Sequence, residues 1–107
     1  MNKNFNLLDN KGNNILHKLV KNNNLLILKE TLENLIEKGK IKNLINQKNY
    51  YGYTPLHIAI NKNNQSFSQL LINNGADIRI LTDNGYVIKQ IKEKKIDSLK
   101  IIGVRFL

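Results

Sequence analysis

His17 and His57 are the only histidines of the 107-residue chain, and no cysteine accompanies them. An imidazole can hold a transition metal or move a proton, but a metal site needs two or three further ligands close by. The sequence offers no His pair at helical spacing and no thiolate, so it points to no metal site. Ser66, Ser68 and Ser98 lack the Gly-x-Ser-x-Gly setting that exposes a nucleophile. The glycines are isolated, and no G-x-G-x-x-G phosphate cradle can be drawn. Glu30, Glu33 and Glu37 fall on one helical face, which brings carboxylates together. Lys29 and Lys38 flank them, however, and the group reads as a solvated stripe rather than an acid–base pair. These residues describe a non-enzyme with no cofactor and no metal.

The context of the histidines is more informative. His57 closes Gly52-Tyr53-Thr54-Pro55-Leu56-His57, with Ile58-Ala59 after it and Asn74-Gly75-Ala76-Asp77 further on. Gly12-Asn13-Asn14-Ile15-Leu16-His17 is a degenerate copy, displaced by 40 positions, and Gly85 follows Gly52 by 33. The pattern resembles the ankyrin repeat, which reads G-x-T-P-L-H-x-A and ends in N-G-A-D. The resemblance implies an all-α, ankyrin-repeat solenoid of about three helix-turn-helix units joined by extended β-turn loops. It also implies a protein-binding scaffold without catalysis, in which each histidine is structural and hydrogen-bonds the neighbouring loop backbone. Gly12, His17, Gly52, Thr54, Pro55, Leu56, His57, Ala59, Gly75 and Gly85 are the residues that carry the repeat.

The whole chain, 1–107, is expected to form a single domain, with repeats at approximately 9–48, 49–81 and 82–107. Residues 1–8 are expected to be an N-terminal cap or the tail of a preceding turn. In the middle unit, Gly52 suits a tight turn, Thr54 an N-cap and Pro55 the first helical position, where its missing N–H costs nothing. Leu56, Ala59 and Ile60 share one face, and Phe67, Leu70 and Leu71 form the stripe of a second helix over Ser66–Ile72. Gly75 stops that helix. In the first unit Asn14 stands for Thr and Ile15 for Pro. Leu16, Leu19 and Val20 line its inner helix, and the second runs from Leu25 to Glu37, carrying Leu28, Leu32, Leu35 and Ile36. About seven extra residues enter this unit: one further turn of the outer helix, and three residues near Lys40–Leu44. In the third unit Ile88 and Ile91 are expected in the places of Leu56 and Ala59, and a last helix should carry Ile96, Leu99 and Ile102.

The net charge is +9, from 17 basic and 8 acidic residues, and hydrophobic residues make up 41%. The chain also holds 19 Asn, 15 Ile and 15 Lys, all with AT-rich codons, so composition alone does not assign the charge to a ligand. Lys89, Lys92, Lys94 and Lys95 form the one dense basic cluster, which suits the water-facing end of a stack. No apolar run is long enough to span a membrane, and no apolar signal region follows Met1. The expected location is the cytoplasm, or the cytoplasm or nucleus of a host cell.

In ankyrin proteins, partners dock on the turn tips and on the concave face of the inner helices. By that resemblance the tips are Asn10, Lys11, Tyr50, Tyr51, Asp83 and Asn84. The concave positions are Asn13, Lys21 and Asn22, then Tyr53, Asn61 and Lys62, with Tyr86 repeating the Tyr53 slot. Tyrosines around one exposed turn offer the rigid amphipathic contact area found at hot spots. The expected partner is a protein of unknown identity with an acidic surface, bound by a monomer or stabilised in a complex. It is not expected to be nucleic acid or a membrane. A host-directed effector or adaptor fits this reading.

Two alternatives stand beside it. The long first unit and Leu44-Ile45-Asn46-Gln47-Lys48-Asn49 before the turn are similar to the inhibitor-of-kappa-B family, which implies a blocker of Rel transcription factors. Those inhibitors receive a basic segment, which a chain at +9 would repel. The other alternative is a binder of nucleic acid or an acidic surface through the Lys89–Lys95 cluster and Arg105.

Overall fold

The computed structural model describes residues 7–93 and 96–103. The helices are α1 (Ile15–Lys21), α2 (Leu25–Glu37), α3 (Ile41–Leu44), α4 (Pro55–Asn61) and α5 (Gln65–Asn73). They are followed by the strands β1 (Tyr86–Glu93) and β2 (Ile96–Gly103).

Local chemistry sets these boundaries. Asn14 and Thr54 cap α1 and α4 through their side chains, and Pro55 occupies the first helical position of α4. Both inner helices end in a left-handed asparagine, Asn23 at φ 56° and Asn63 at φ 59°, whose short polar side chain tolerates that region. The next residues, Asn24 and Asn64, cap α2 and α5, so each inner helix turns directly into its outer partner. The outer helix has 13 residues in the first pair against nine in the second, the additional turn expected from the spacing. The remaining extra residues form α3, and they join the core rather than a free loop, since Leu44 and Ile45 are buried.

The two helical pairs stack side by side, α1 on α4 and α2 on α5. Leu16, Leu19, Val20, Leu28, Leu32 and Leu35 of the first pair and Leu56, Ala59, Ile60, Phe67 and Leu71 of the second make one continuous buried cluster. Each fully buried leucine contributes on the order of 1.5–3 kcal/mol, and neither pair could bury its flank alone. Ile36 departs from its expected place in this stripe and is 52% exposed.

The end of the stack differs from the sequence expectation. Ile88, Ile91, Ile96, Leu99 and Ile102 do not lie on a third pair of helices. They lie on an antiparallel hairpin in which Tyr86 pairs with Gly103, Ile88 with Ile101 and Gln90 with Leu99. Val87, Ile88, Ile91, Ile96, Ile101 and Ile102 are β-branched, the type that fits a pleated, half-buried surface better than a helix. Ile88, Leu99 and Ile101 pack on the helical core, with β2 against α4. The solenoid thus ends in a sheet, and the all-α description holds only up to Gly85. Lys94, Lys95 and Arg105, to which a basic role was assigned, lie outside the described residues, as do residues 1–6 of the expected N-terminal cap.

Candidate protein-binding surface

Three five-residue turns, Asp9–Asn13, Asn49–Tyr53 and Thr82–Tyr86, project along one edge and are built on one plan. The first N–H donates to the fifth carbonyl at 3.0, 2.8 and 3.1 Å, and the fourth-position glycine N–H donates to the first carbonyl at 3.0, 3.0 and 2.9 Å. The first side chain then accepts from the fifth N–H, through Asp9 Oδ1 at 2.9 Å, Asn49 Oδ1 at 3.0 Å and Thr82 Oγ1 at 3.0 Å. Asp9, Asn49 and Thr82, which sequence reasoning passed over, shape these turns. Their signal was present as Asp/Asn/Thr-x-x-Gly, repeated three times.

Neighbouring turns are bonded to one another. Tyr50 N–H donates to Lys11 O at 3.0 Å, and Asn49 Nδ2 donates to Asn13 Oδ1 at 2.9 Å. Lys48 Nζ meets Asp83 Oδ1 at 3.1 Å, tying the second turn to the third. Gly12 and Gly52 permit the close approach: a Cβ on Gly12 would collide with the Tyr50 ring, and one on Gly52 with Asp83.

The histidines lock the turns to the inner helices. His17 Nδ1 accepts from Asn14 N–H at 3.1 Å, which leaves Nε2–H to donate to Tyr53 O in the next turn at 2.8 Å. His57 accepts likewise from Thr54 N–H at 2.9 Å, but it donates to Ile80 O at 2.9 Å, two residues before the third turn rather than within it. Both rings are fully buried. Burial is the main cause holding both imidazoles below their ordinary pKa. The Tyr53 and Ile80 carbonyls oppose it, as does Asp9 near His17, while Lys21 and Lys48 assist it. Among the described residues no group of three or more His, Cys, Asp or Glu could hold a metal ion.

The edge presents Asn10, Lys11, Asp83 and Asn84 to solvent, together with Tyr50 at 69% and Tyr51 at 62% exposure. Tyr86 is 43% exposed. Lys21, Asn22 and Asn61 are exposed at the C-terminal ends of the inner helices. Tyr53 is half-buried, its ring set edge-on to His57 at 6.3 Å. Asn13 is a correction. It is 1% exposed, with its amide donating to Asp9 Oδ2 at 3.1 Å and its carbonyl oxygen accepting from Asn49, so it belongs to the scaffold. Lys62 is exposed, but its ammonium donates to Lys21 O at 2.6 Å, at the carbonyl end of α1 where a cation is favoured.

The model of the family described as ankyrin repeats (three copies) matches residues 1–82. The chain belongs to the ankyrin-repeat family. The match stops at Thr82, short of the hairpin, which is where the structure leaves the helical plan. The chain is also similar to an ankyrin repeat protein of Rickettsia bellii (strain RML369-C), 41% identical over 59 residues. That alignment covers 52% of this chain and 35% of the relative, so the chain matches about a third of that protein's length. Ankyrin-repeat proteins are non-catalytic scaffolds for protein–protein interaction. Among the described residues no helix is long and apolar enough to cross a membrane.

Proposed function

We propose that this ankyrin domain binds a partner protein along its turn edge, with Tyr50, Tyr51 and Tyr86 as aromatic contacts and Asn10, Lys11, Lys21, Asn22, Asn61, Asp83 and Asn84 as the polar surround. The observation that carries the reading is the exposure of Tyr50 and Tyr51 on a turn fixed by hydrogen bonds on both sides. A rigid aromatic loses little conformational entropy on binding, which makes such a pair effective in an interface. In this reading the histidines and Asn13 contribute only by holding the edge in shape, and the chain acts as a monomer or within the partner's complex.

Affinity purification from the native cell tests the proposal, comparing wild type with Tyr51→Ala and with Tyr50→Ala/Tyr51→Ala. Loss of the same specific partner from both variants supports it. Full recovery of every partner by the double variant overturns it. Tyr51→Ala carries the more direct result, because Tyr50 also packs on Gly12.

A further inference from the structure

Lys11, Lys18 and Lys21 gather at the N-terminal end of the edge, and among the described residues none of them forms a salt bridge. Asp9–Asn13 and the outward side of α1 enclose a cleft of about 330 Å³, lined among others by Asn10, Lys11, Lys18, Lys21 and Asn22. Its one carboxylate, Asp9, feels the charge of Lys18 but spends its oxygens on the turn. Asp9 Oδ1 accepts from the backbone N–H groups of Lys11 and Asn13, both at 2.9 Å, and Oδ2 accepts from Asn13 Nδ2. The other aspartates of the loop side are also taken: Asp83 by Lys48 at 3.1 Å and Asp77 by Arg79 at 3.0 Å. Glu30, Glu33 and Glu37 sit on α2, the outer helix. Among the described residues no salt bridge joins a carboxylate to the cleft lysines, Asp9 acting on Lys18 only at longer range.

We propose that this cleft receives an acidic segment of the partner protein, with Lys11, Lys18 and Lys21 meeting its carboxylates and the Asn10 and Asn22 amides hydrogen-bonding its backbone. The inference rests on the protein-binding reading of the edge and adds the partner's chemistry to it. Lys18 and Lys21 lie three residues apart on α1, so their ammonium groups approach from one helical face, while Lys11 approaches from the turn. An extended peptide passing between them would meet cations from both walls and continue towards Tyr50, whose backbone is bonded to Lys11. Repulsion among these lysines is relieved when the acidic segment binds, which favours an anionic partner over a neutral one.

The test is fluorescence anisotropy with a labelled glutamate-rich peptide, the same peptide with every Glu replaced by Gln, and a single-stranded oligonucleotide of equal charge. The glutamate peptide should bind and the glutamine peptide should bind at least about tenfold more weakly, with affinity falling as salt is raised. Lys11→Ala/Lys18→Ala/Lys21→Ala should lose about tenfold or more, since rim and cleft charges act together. Lys29→Ala/Lys40→Ala/Lys42→Ala removes the same charge outside the cleft and should leave binding unchanged. An equal loss in both triple variants means attraction by net charge alone and overturns the proposal. Oligonucleotide binding as tight as peptide binding overturns it too, in favour of nucleic acid. Either result leaves the tyrosine reading standing, whereas unaltered capture by Tyr50→Ala/Tyr51→Ala would sink that reading by itself. Circular dichroism melts of the variants separate lost binding from lost fold.

Discussion

Tyr50 lays its ring on Gly12, close enough that a Cβ added to Gly12 would stand 2.5 Å from Tyr50 Cδ1. Gly12 also has φ +76°, a region that costs an L-residue roughly 1–2 kcal/mol. Gly12→Ala therefore meets two penalties, backbone strain and displacement of the ring. Urea unfolding should show a loss of about 2 kcal/mol in the wild-type background and about 1 kcal/mol in a Tyr50→Ala background, where only the strain remains. Equal losses in the two backgrounds would mean that the tyrosine does not rest there. Tyr51, with no such contact, should tolerate alanine within about 0.5 kcal/mol.

The buried histidines make stability depend on pH with a definite sign. An unfolded imidazole titrates near 6.5, and both rings lie below that value in the fold. Between the folded and unfolded values the unfolded chain binds more protons. Stability is then complete above 6.5 and is lost as the pH falls below it. Urea midpoints measured from about pH 7.5 down to about pH 5 should decline, and His57→Gln should flatten part of the decline. A midpoint constant across that interval would refute the neutral, carbonyl-bonded rings. Removal of a ring also leaves a buried N–H unpaired: His17→Ala strands that of Asn14 and should cost about 3 kcal/mol.

Asn14 stands where the family pattern has threonine, and the substitution has a physical use. Its Oδ1 caps α1 by accepting from Leu16 and His17 N–H at 2.8 and 3.2 Å, as a hydroxyl could. Its Nδ2 also donates to Leu44 O at 3.0 Å and Gln47 Oε1 at 2.9 Å, which a hydroxyl in the same place could not do together. Leu44 ends the segment lengthened in the first repeat and Gln47 follows it, so Asn14 fastens the insertion and its exit to the inner helix. Asn14→Thr should cost about 1 kcal/mol and Asn14→Ala about 2 kcal/mol by urea unfolding. A Thr variant as stable as wild type would show that the amide contributes nothing.

The helices were legible because their punctuation was. Leu28, Leu32 and Leu35 keep a 3.6-residue pattern, and the outer helix of the first pair runs from Leu25 to Glu37 as read. The surplus near Lys40 was legible as length but not as α3, since four residues carry no period. Tyr50 and Tyr51 could be placed on an exposed turn from Gly52 alone. The burial of Asn13 could not, because it depends on Asn49, 36 positions away. The hairpin was misread because the 33-residue spacing to Gly85 invited another helical unit. The β-branched residues after Tyr86 were the contrary signal, and they prevail once pairing such as Ile88 with Ile101 is available.

Strand and helix make opposite demands on Leu99 and Ile102. On a helix they stand three apart and share a face, so aspartate at either would damage the same packing. On β2 an odd separation puts them on opposite faces. Leu99 packs with Ile88 and Ile101 against the helical core, whereas Ile102 lies opposite Val87 on the other side of the sheet. Leu99→Asp should therefore cost about 2 kcal/mol or more, because it brings an unpaired charge to an apolar contact. Ile102→Asp should cost clearly less, and the two variants compared by urea unfolding settle which geometry the chain uses. Hydrogen exchange adds a second readout. Leu99→Asp should release protection along β1 and β2 together while α1 and α4 keep theirs, since the hairpin docks as one unit on the end of the stack.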